Sequence, residues 1–321
     1  MVGGSPNGRT DVADHAPAFA GPVASGSGAV RRDLRTYLSL IKVEHSLFAL
    51  PYAYVGMIIA ADGWPGWRTF LLITLAMVGA RTAAMAANRV IDARLDALNP
   101  RTAGREIPSG RLTRIDGVVV ALLGVGALAF AGSALNPLTL ALLPVALAFL
   151  IAYPYTKRFT WACHLWLGVT IGAAAAGGFI AVTGSFHLVA VLLWIAVAAW
   201  VAGFDVIYAF ADLGHDREHG VHSLPADLGE DRAVFAVGAL YTVSVLALMG
   251  VGLVTDFDPS WPYEGLGLAY PLMWAVVVSF LIQQVRALRR YRNARALDAF
   301  NVNLVLGPLV LLGTILGLVW R

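Results

Sequence analysis

The stretch Asn88-Arg89-Val90-Ile91-Asp92-Ala93-Arg94-Leu95-Asp96 ends an apolar run that begins near residue 69. A second stretch, Asp205-Val206-Ile207-Tyr208-Ala209-Phe210-Ala211-Asp212-Leu213-Gly214-His215-Asp216, ends another that begins near residue 187. In each, two aspartates stand four residues apart. At about 100° per helical residue, Asn88, Asp92 and Asp96 fall within about 80° of one another, and Asp205, Tyr208, Asp212 and Asp216 share one face. Each apolar run therefore ends in a row of carboxylates pointing one way, and the rest of the chain is read from that.

Outward from these stretches the sequence is apolar: 58% of residues are hydrophobic, 13% are charged, and the mean hydropathy is +0.71. A soluble domain carries about one-quarter charged residues, so the chain belongs in a bilayer. Nine apolar stretches follow one another, at about 46–61, 69–88, 116–134, 137–153, 164–183, 187–207, 233–254, 267–285 and 302–320. This predicts an all-α polytopic membrane protein of nine transmembrane helices, spanning residues 35–321 as one domain. Residues 1–34, rich in Gly, Ala, Pro and Ser and without the apolar core of a secretory signal, read as a disordered cytoplasmic tail.

All of the 23 Lys and Arg residues except Arg68, Arg81 and Arg321 fall in the tail or in segments after even-numbered spans. The positive-inside rule then places the N-terminus and both aspartate clusters on the cytoplasmic side of a plasma (inner) membrane. This one-sided charge is a topology signal and not a nucleic-acid surface. The run Arg286 to Arg295 reads as a juxtamembrane contact with anionic lipid. Cys163 is the single cysteine, which excludes an intramolecular disulfide framework. His215, His219 and His222 have zinc-like spacing, but Gly220 interrupts their helix and no cysteine accompanies them. Four alanines and two glycines crowd Ala173 to Gly178. Either they let helices pack closely or they keep a cavity wall slim.

Several carboxylates on one helix face at a membrane edge call for a partner. Mg²⁺ favours oxygen ligands and is often shared between carboxylates and substrate phosphates. Two such clusters with arginines and lysines nearby suit a metal-bound diphosphate. A secondary transporter is the alternative from another class, although transporters place ionisable residues near the midplane on broken helices.

These residues resemble the UbiA superfamily of intramembrane aromatic prenyltransferases. The family motif NDxxDxxxD is matched by Asn88, Asp92 and Asp96, with Arg89 in place of the second-position Asp. DxxYxxxDxxxD is matched in full by Asp205, Tyr208, Asp212 and Asp216. Arg101-Thr102 and Arg105 resemble RTxxRP with Glu106 replacing Pro, and Tyr153-Pro154 with Lys157-Arg158 resembles YPxxKR. The resemblance implies nine helices around a central cavity, Mg²⁺ held by Asn88, Asp92, Asp96, Asp212 and Asp216, and a substrate site of Lys42, Arg81, Arg101, Arg105, Lys157 and Arg158, in which Arg101, Arg105, Lys157 and Arg158 meet the charge of a polyprenyl diphosphate and Arg81 either neutralises the aspartates or receives an anionic substrate. Asp205 and Tyr208 would be catalytic. It also implies a hydroxylated aromatic acid as acceptor, 4-hydroxybenzoate or a dihydroxynaphthoate, in ubiquinone-type or menaquinone biosynthesis. A porphyrin or a lipid acceptor would keep the same chemistry.

Overall fold

The computed structural model describes residues 33–41, 49–291 and 296–321, and gives side-chain surroundings for all of these except 296–302. Lys42, most of the tail, and Arg292 and Arg295 lie outside the described residues. Among the described residues every regular element is helical: α1 Leu34–Ile41, α2 Leu50–Ala61, α3 Trp67–Leu98, α4 Arg114–Leu135, α5 Pro137–Thr156, α6 Cys163–Thr183, α7 Leu188–Ala209, α8 Leu213–His219, α9 Leu224–Asp227, α10 Glu230–Phe257, α11 Ala269–Tyr291 and α12 Ala296–Val319.

Among the described residues, seven continuous helical runs are long and apolar enough to cross a membrane, with α7, a single 3₁₀ turn at Phe210–Asp212 and α8 forming one of them, Leu188–His219. The first and ninth expected spans hold apolar helices too, but shorter ones, Leu50–Ala61 and the Asn303–Val319 part of α12. Twelve residues rise about 18 Å against a hydrocarbon layer of about 30 Å, so α2 by itself falls short of a crossing.

Local chemistry sets the boundaries. Asp33 opens α1 by accepting from the Thr36 N–H and O–H, which holds its carboxyl below the usual range. Thr113 and Asp116 form a capping box at the start of α4. Asn136 starts α5, with Pro137 at its first position, by accepting from Thr139 N–H at 2.9 Å. Its amide also donates to Ile180 O and Ala181 O near the end of α6. Gly184 (φ +65) then ends α6 in a left-handed turn that a side chain would strain.

The main packing pairs are α3 on α4, α6 on α7, α7 on α10, and α2 on α6. Small residues bring these backbones together. A Cβ on Gly79 would stand 2.8 Å from Gly124 O, and one on Gly172 2.7 Å from Ala198 N; one on Gly178 would strike Ala53 O. Gly177, one residue on, meets nothing within 4 Å and lines an apolar cavity of about 530 Å³ with Ala173 and Ala174. The small-residue run thus serves both purposes, packing on one face and keeping a wall slim on the other. A buried polar knot ties the later helices together. Trp200 Nε1 and Gln284 Nε2 donate to Asn303 Oδ1 at 2.9 and 3.1 Å, and Tyr241 OH donates to Gln284 Oε1 at 2.8 Å. Each buried polar group in an apolar interior needs such a partner.

Candidate functional site

Helix α3 does not stop where its apolar stretch does; it continues to Leu98 and carries Asn88, Asp92 and Asp96 on its last three turns. The second cluster is not one straight helix, because the 3₁₀ turn separates Asp205 and Tyr208 on α7 from Asp216 on α8. All four of its motif residues nevertheless line one polar cavity of about 220 Å³, together with Asn88, Asp96, Arg101, Arg105 and Lys157. Asp92 is fully buried and stands behind this wall, where Lys157 and Arg158 donate to it at 2.5 and 3.2 Å. Arg81 faces the large apolar cavity instead, and its buried Nε has no hydrogen-bond partner among the described residues.

The loop between α3 and α4 joins the two clusters. Arg101 reaches across 111 residues of sequence to grip Asp212 with two parallel bonds, Nε to Oδ1 at 2.8 Å and Nη2 to Oδ2 at 2.6 Å, and its Nη1 donates to Tyr208 OH at 3.1 Å. Burial works against the charge on Arg101, but hydrogen bonds to Asp212 and its negative charge outweigh that, so its pKa lies above the ordinary arginine value. Arg105 Nη1 donates to both Asp96 oxygens, at 2.7 and 2.8 Å. His222 N donates to Lys157 O at 2.8 Å, bringing the loop after α8 onto the turn after α5. Three aspartates, Asp92, Asp96 and Asp212, are therefore each paired with arginine or lysine.

Among the described residues no three His, Cys, Asp or Glu side chains are gathered as a ready-made metal cluster. The cavity wall still presents an all-oxygen donor set, Asn88, Asp96, Asp212 and Asp216, which fits a hard divalent cation such as Mg²⁺. Two of these four, Asp96 and Asp212, are the ones already engaged by Arg105 and Arg101.

Two residues of the cavity carry no signal in the spacing of the motifs. Asn99 accepts from the Arg101 backbone N–H at 2.9 Å and so shapes the start of the loop. His164, at the start of α6, bonds Asp205 Oδ2 through Nδ1 at 2.6 Å and accepts from Leu224 N–H through Nε2 at 3.1 Å. Its partners are 41 and 60 residues away, beyond the reach of any local pattern.

The profile of the UbiA prenyltransferase family matches residues 49–306. The chain is 33% identical to the 4-hydroxybenzoate octaprenyltransferase of Alkalilimnicola ehrlichii over 268 residues, 82% of this chain and 86% of that one. Among solved structures, the apo form of a UbiA homologue from Aeropyrum pernix K1 is 31% identical, with a TM-score of 0.75 over 85% of this chain and 98% of that one. A UbiA homologue from Archaeoglobus fulgidus bound to GPP and Mg²⁺ shares the fold at 15% identity, with a TM-score of 0.66 over 87% of this chain and 99% of that one. With its apolar helices, its two acidic clusters on one cavity and a family match over most of its length, this multi-span membrane protein belongs to the UbiA prenyltransferase family.

Proposed function

We propose that the protein transfers a polyprenyl group from an allylic diphosphate to a ring carbon of a hydroxylated aromatic acid, with Mg²⁺, in quinone biosynthesis. The observation that carries this reading is the crossing of Arg101 from the first cluster's loop to Asp212 and Tyr208 of the second, which makes one polar cavity from two distant motifs. The name of the Alkalilimnicola relative and the GPP and Mg²⁺ bound by the Archaeoglobus homologue support the substrate class. Dihydroxynaphthoate and 4-hydroxybenzoate are the two acceptors to compare. A nine-span arrangement in the inner membrane, with the cavity on the cytoplasmic side, is supported by the basic loops that adjoin it.

In this mechanism Asn88, Asp96, Asp212 and Asp216 would hold the metal, with Asp92 behind them. Bound there, Mg²⁺ supplies positive charge against the departing diphosphate. Arg101, Arg105, Lys157 and Arg158 exchange their carboxylate partners for diphosphate oxygens, and Lys42 is proposed to join them. The prenyl chain lies in the apolar cavity. Arg81, seven residues and about 10.5 Å along α3 from Asn88, would meet an acid carboxylate from within that cavity's wall, a role supported by its position in the cavity lining. As the allylic carbon–oxygen bond breaks, its electron pair leaves with the diphosphate, and the Tyr208 ring stabilises the allylic cation. The ring carbon bonds to that cation, and Asp205 takes the proton released. The surrounding helices exclude the water that would otherwise quench the cation.

The test incubates purified membranes with labelled polyprenyl diphosphate, Mg²⁺ and a panel of acceptors: 4-hydroxybenzoate, dihydroxynaphthoate, a porphyrin and a glycerol phosphate lipid. A prenylated aromatic acid, identified by mass, is the expected product. Uptake without product, or product only from the porphyrin or the lipid, overturns the reading.

A further inference from the structure

We infer that His164 is a positioning residue for Asp205, holding that carboxylate as a base against the cations that share its cavity. The inference rests on the prenyl-transfer reading and adds to it a residue that neither motif contains. His164 is 4% exposed, on the first turn of α6, while Asp205 comes from α7 and Leu224 from the start of α9.

The roles of the two ring nitrogens follow from their partners. A backbone N–H can only donate, so the bond from Leu224 N to His164 Nε2 at 3.1 Å requires a lone pair on Nε2. The ring proton then sits on Nδ1 and is donated to Asp205 Oδ2 at 2.6 Å. In this bonding pattern His164 donates to Asp205 through Nδ1 and accepts from Leu224 through Nε2. It cannot relay a proton onward, because the nitrogen that would accept one is occupied. Asp205 Oδ1 has no hydrogen bond among the described residues and is the oxygen left for the acceptor.

What this arrangement prevents is as informative as what it forms. Asp92, Asp96 and Asp212 are each paired with Lys157 and Arg158, Arg105, or Arg101. Arg101, Arg105 and Lys157 also line the wall that holds Asp205. A carboxylate joined to a guanidinium has its charge neutralised and its lone pairs engaged, and is a poor acceptor of protons. Tethered through Oδ2 to one N–H of His164 and to none of these cations, Asp205 keeps Oδ1 open and its aim fixed. In the proton step, the C–H bond at the ring carbon that has just gained the prenyl group breaks. Its electron pair returns to the ring, and the proton passes to Oδ1, while the Nδ1–H bond to Oδ2 stays in place throughout.

The test separates aim from mere structure. His164→Asn keeps an N–H near the position of Nδ1 but loses the group that meets Leu224; His164→Gln reaches Leu224 but not Asp205. We expect kcat within about fivefold of the parent for the Asn variant and a loss of roughly 30- to 100-fold for the Gln variant, near the low end of what a general base contributes. The KM for prenyl diphosphate, and the binding of an unreactive prenyl thiodiphosphate with Mg²⁺, should stay within about twofold in both, because a base acts after the substrate is bound. In an Asp205→Asn background, His164→Gln should cost less than about twofold more, since the two residues act as a unit. A histidine that only secures the Leu224 loop gives the reverse order, Gln above Asn, and an undiminished penalty in the Asp205→Asn background; either result overturns the inference. If the parent binds thiodiphosphate yet prenylates no aromatic acid, it is the underlying reading that fails.

Discussion

Arg89 Nε stands 4.0 Å from Glu106 Oε2, with both side chains almost wholly buried. Ser39 Oγ donates to the other oxygen of Glu106 at 2.5 Å, and Arg111 lies 3.6 Å from it. These are the two positions at which the chain departs from the motifs it resembles, Arg for Asp and Glu for Pro. An acid from the α3–α4 loop thus stands within ion-pair range of the cation beside Asp92 and Asp96, with no hydrogen bond to its Nε among the described residues. Breaking a buried pair from one side is costly because a charge is left behind. Glu106→Ala should lower unfolding stability in detergent by about 3 kcal/mol, while Arg89→Leu combined with Glu106→Leu should cost less than Glu106→Ala alone. Strictly additive losses would show that the pair is not coupled.

Arg101 holds Asp212 with two parallel bonds while touching Tyr208, a geometry that needs a planar fork. Arg101→Lys should therefore behave nearly as badly as Arg101→Ala, each lowering kcat/KM for the prenyl diphosphate by roughly 100-fold, as expected for a charged, bidentate contact. Steady-state assays at saturating aromatic acid check this; a lysine variant with parent-like kinetics would refute it.

Arg81 should discriminate between the two substrates. Loss of a charge-assisted contact is worth about 1.5–3 kcal/mol, so Arg81→Met should raise the KM for the aromatic acid roughly tenfold or more. The KM for prenyl diphosphate should change little. The opposite split would move Arg81 to the diphosphate.

Removal of divalent cations with EDTA should abolish transfer, and Mg²⁺ or Mn²⁺ should restore it better than Ca²⁺, whose larger shell suits a looser site. Undiminished turnover in EDTA would show that the oxygen wall of the cavity holds no catalytic metal.

Gly177 and Gly178 make a paired test of packing. Gly177→Ala projects a methyl into the apolar cavity, meets nothing within 4 Å, and should leave stability within about 0.5 kcal/mol, helped by alanine's higher helix propensity. Gly178→Ala drives a methyl into Ala53 O and should cost about 1–3 kcal/mol. Thermal unfolding in one detergent measures both; equal effects would refute the assigned faces.

The reading of the sequence reached whatever a helix repeats locally. Asp205, Tyr208, Asp212 and Asp216 were legible as one face because i,i+3 and i,i+4 spacing survives even the intervening 3₁₀ turn. Among the described residues, apolar length located the seven long membrane helices, whereas only residues 49–61 of the first expected span, 46–61, are described, and they hold the shorter helix α2. The Arg101 to Asp212 crossing was invisible, since nothing local tells a loop which distant acid it will meet. His164 was missed for the same reason. A lone histidine at the start of an apolar helix has no periodic partner, and its role emerges only when α7 and the Leu224 loop are folded against it. Hydropathy could not say that Asp92 lies behind the cavity wall while Asp96, one turn later, lines it.

Lys157, Arg105 and Arg101 already have acidic companions, so on the proposed reading each would leave a carboxylate before it could meet a diphosphate oxygen. The aspartates would then be waiting partners for the same cations as the inorganic product departs, returning the cavity to its starting set of ion pairs after each transfer.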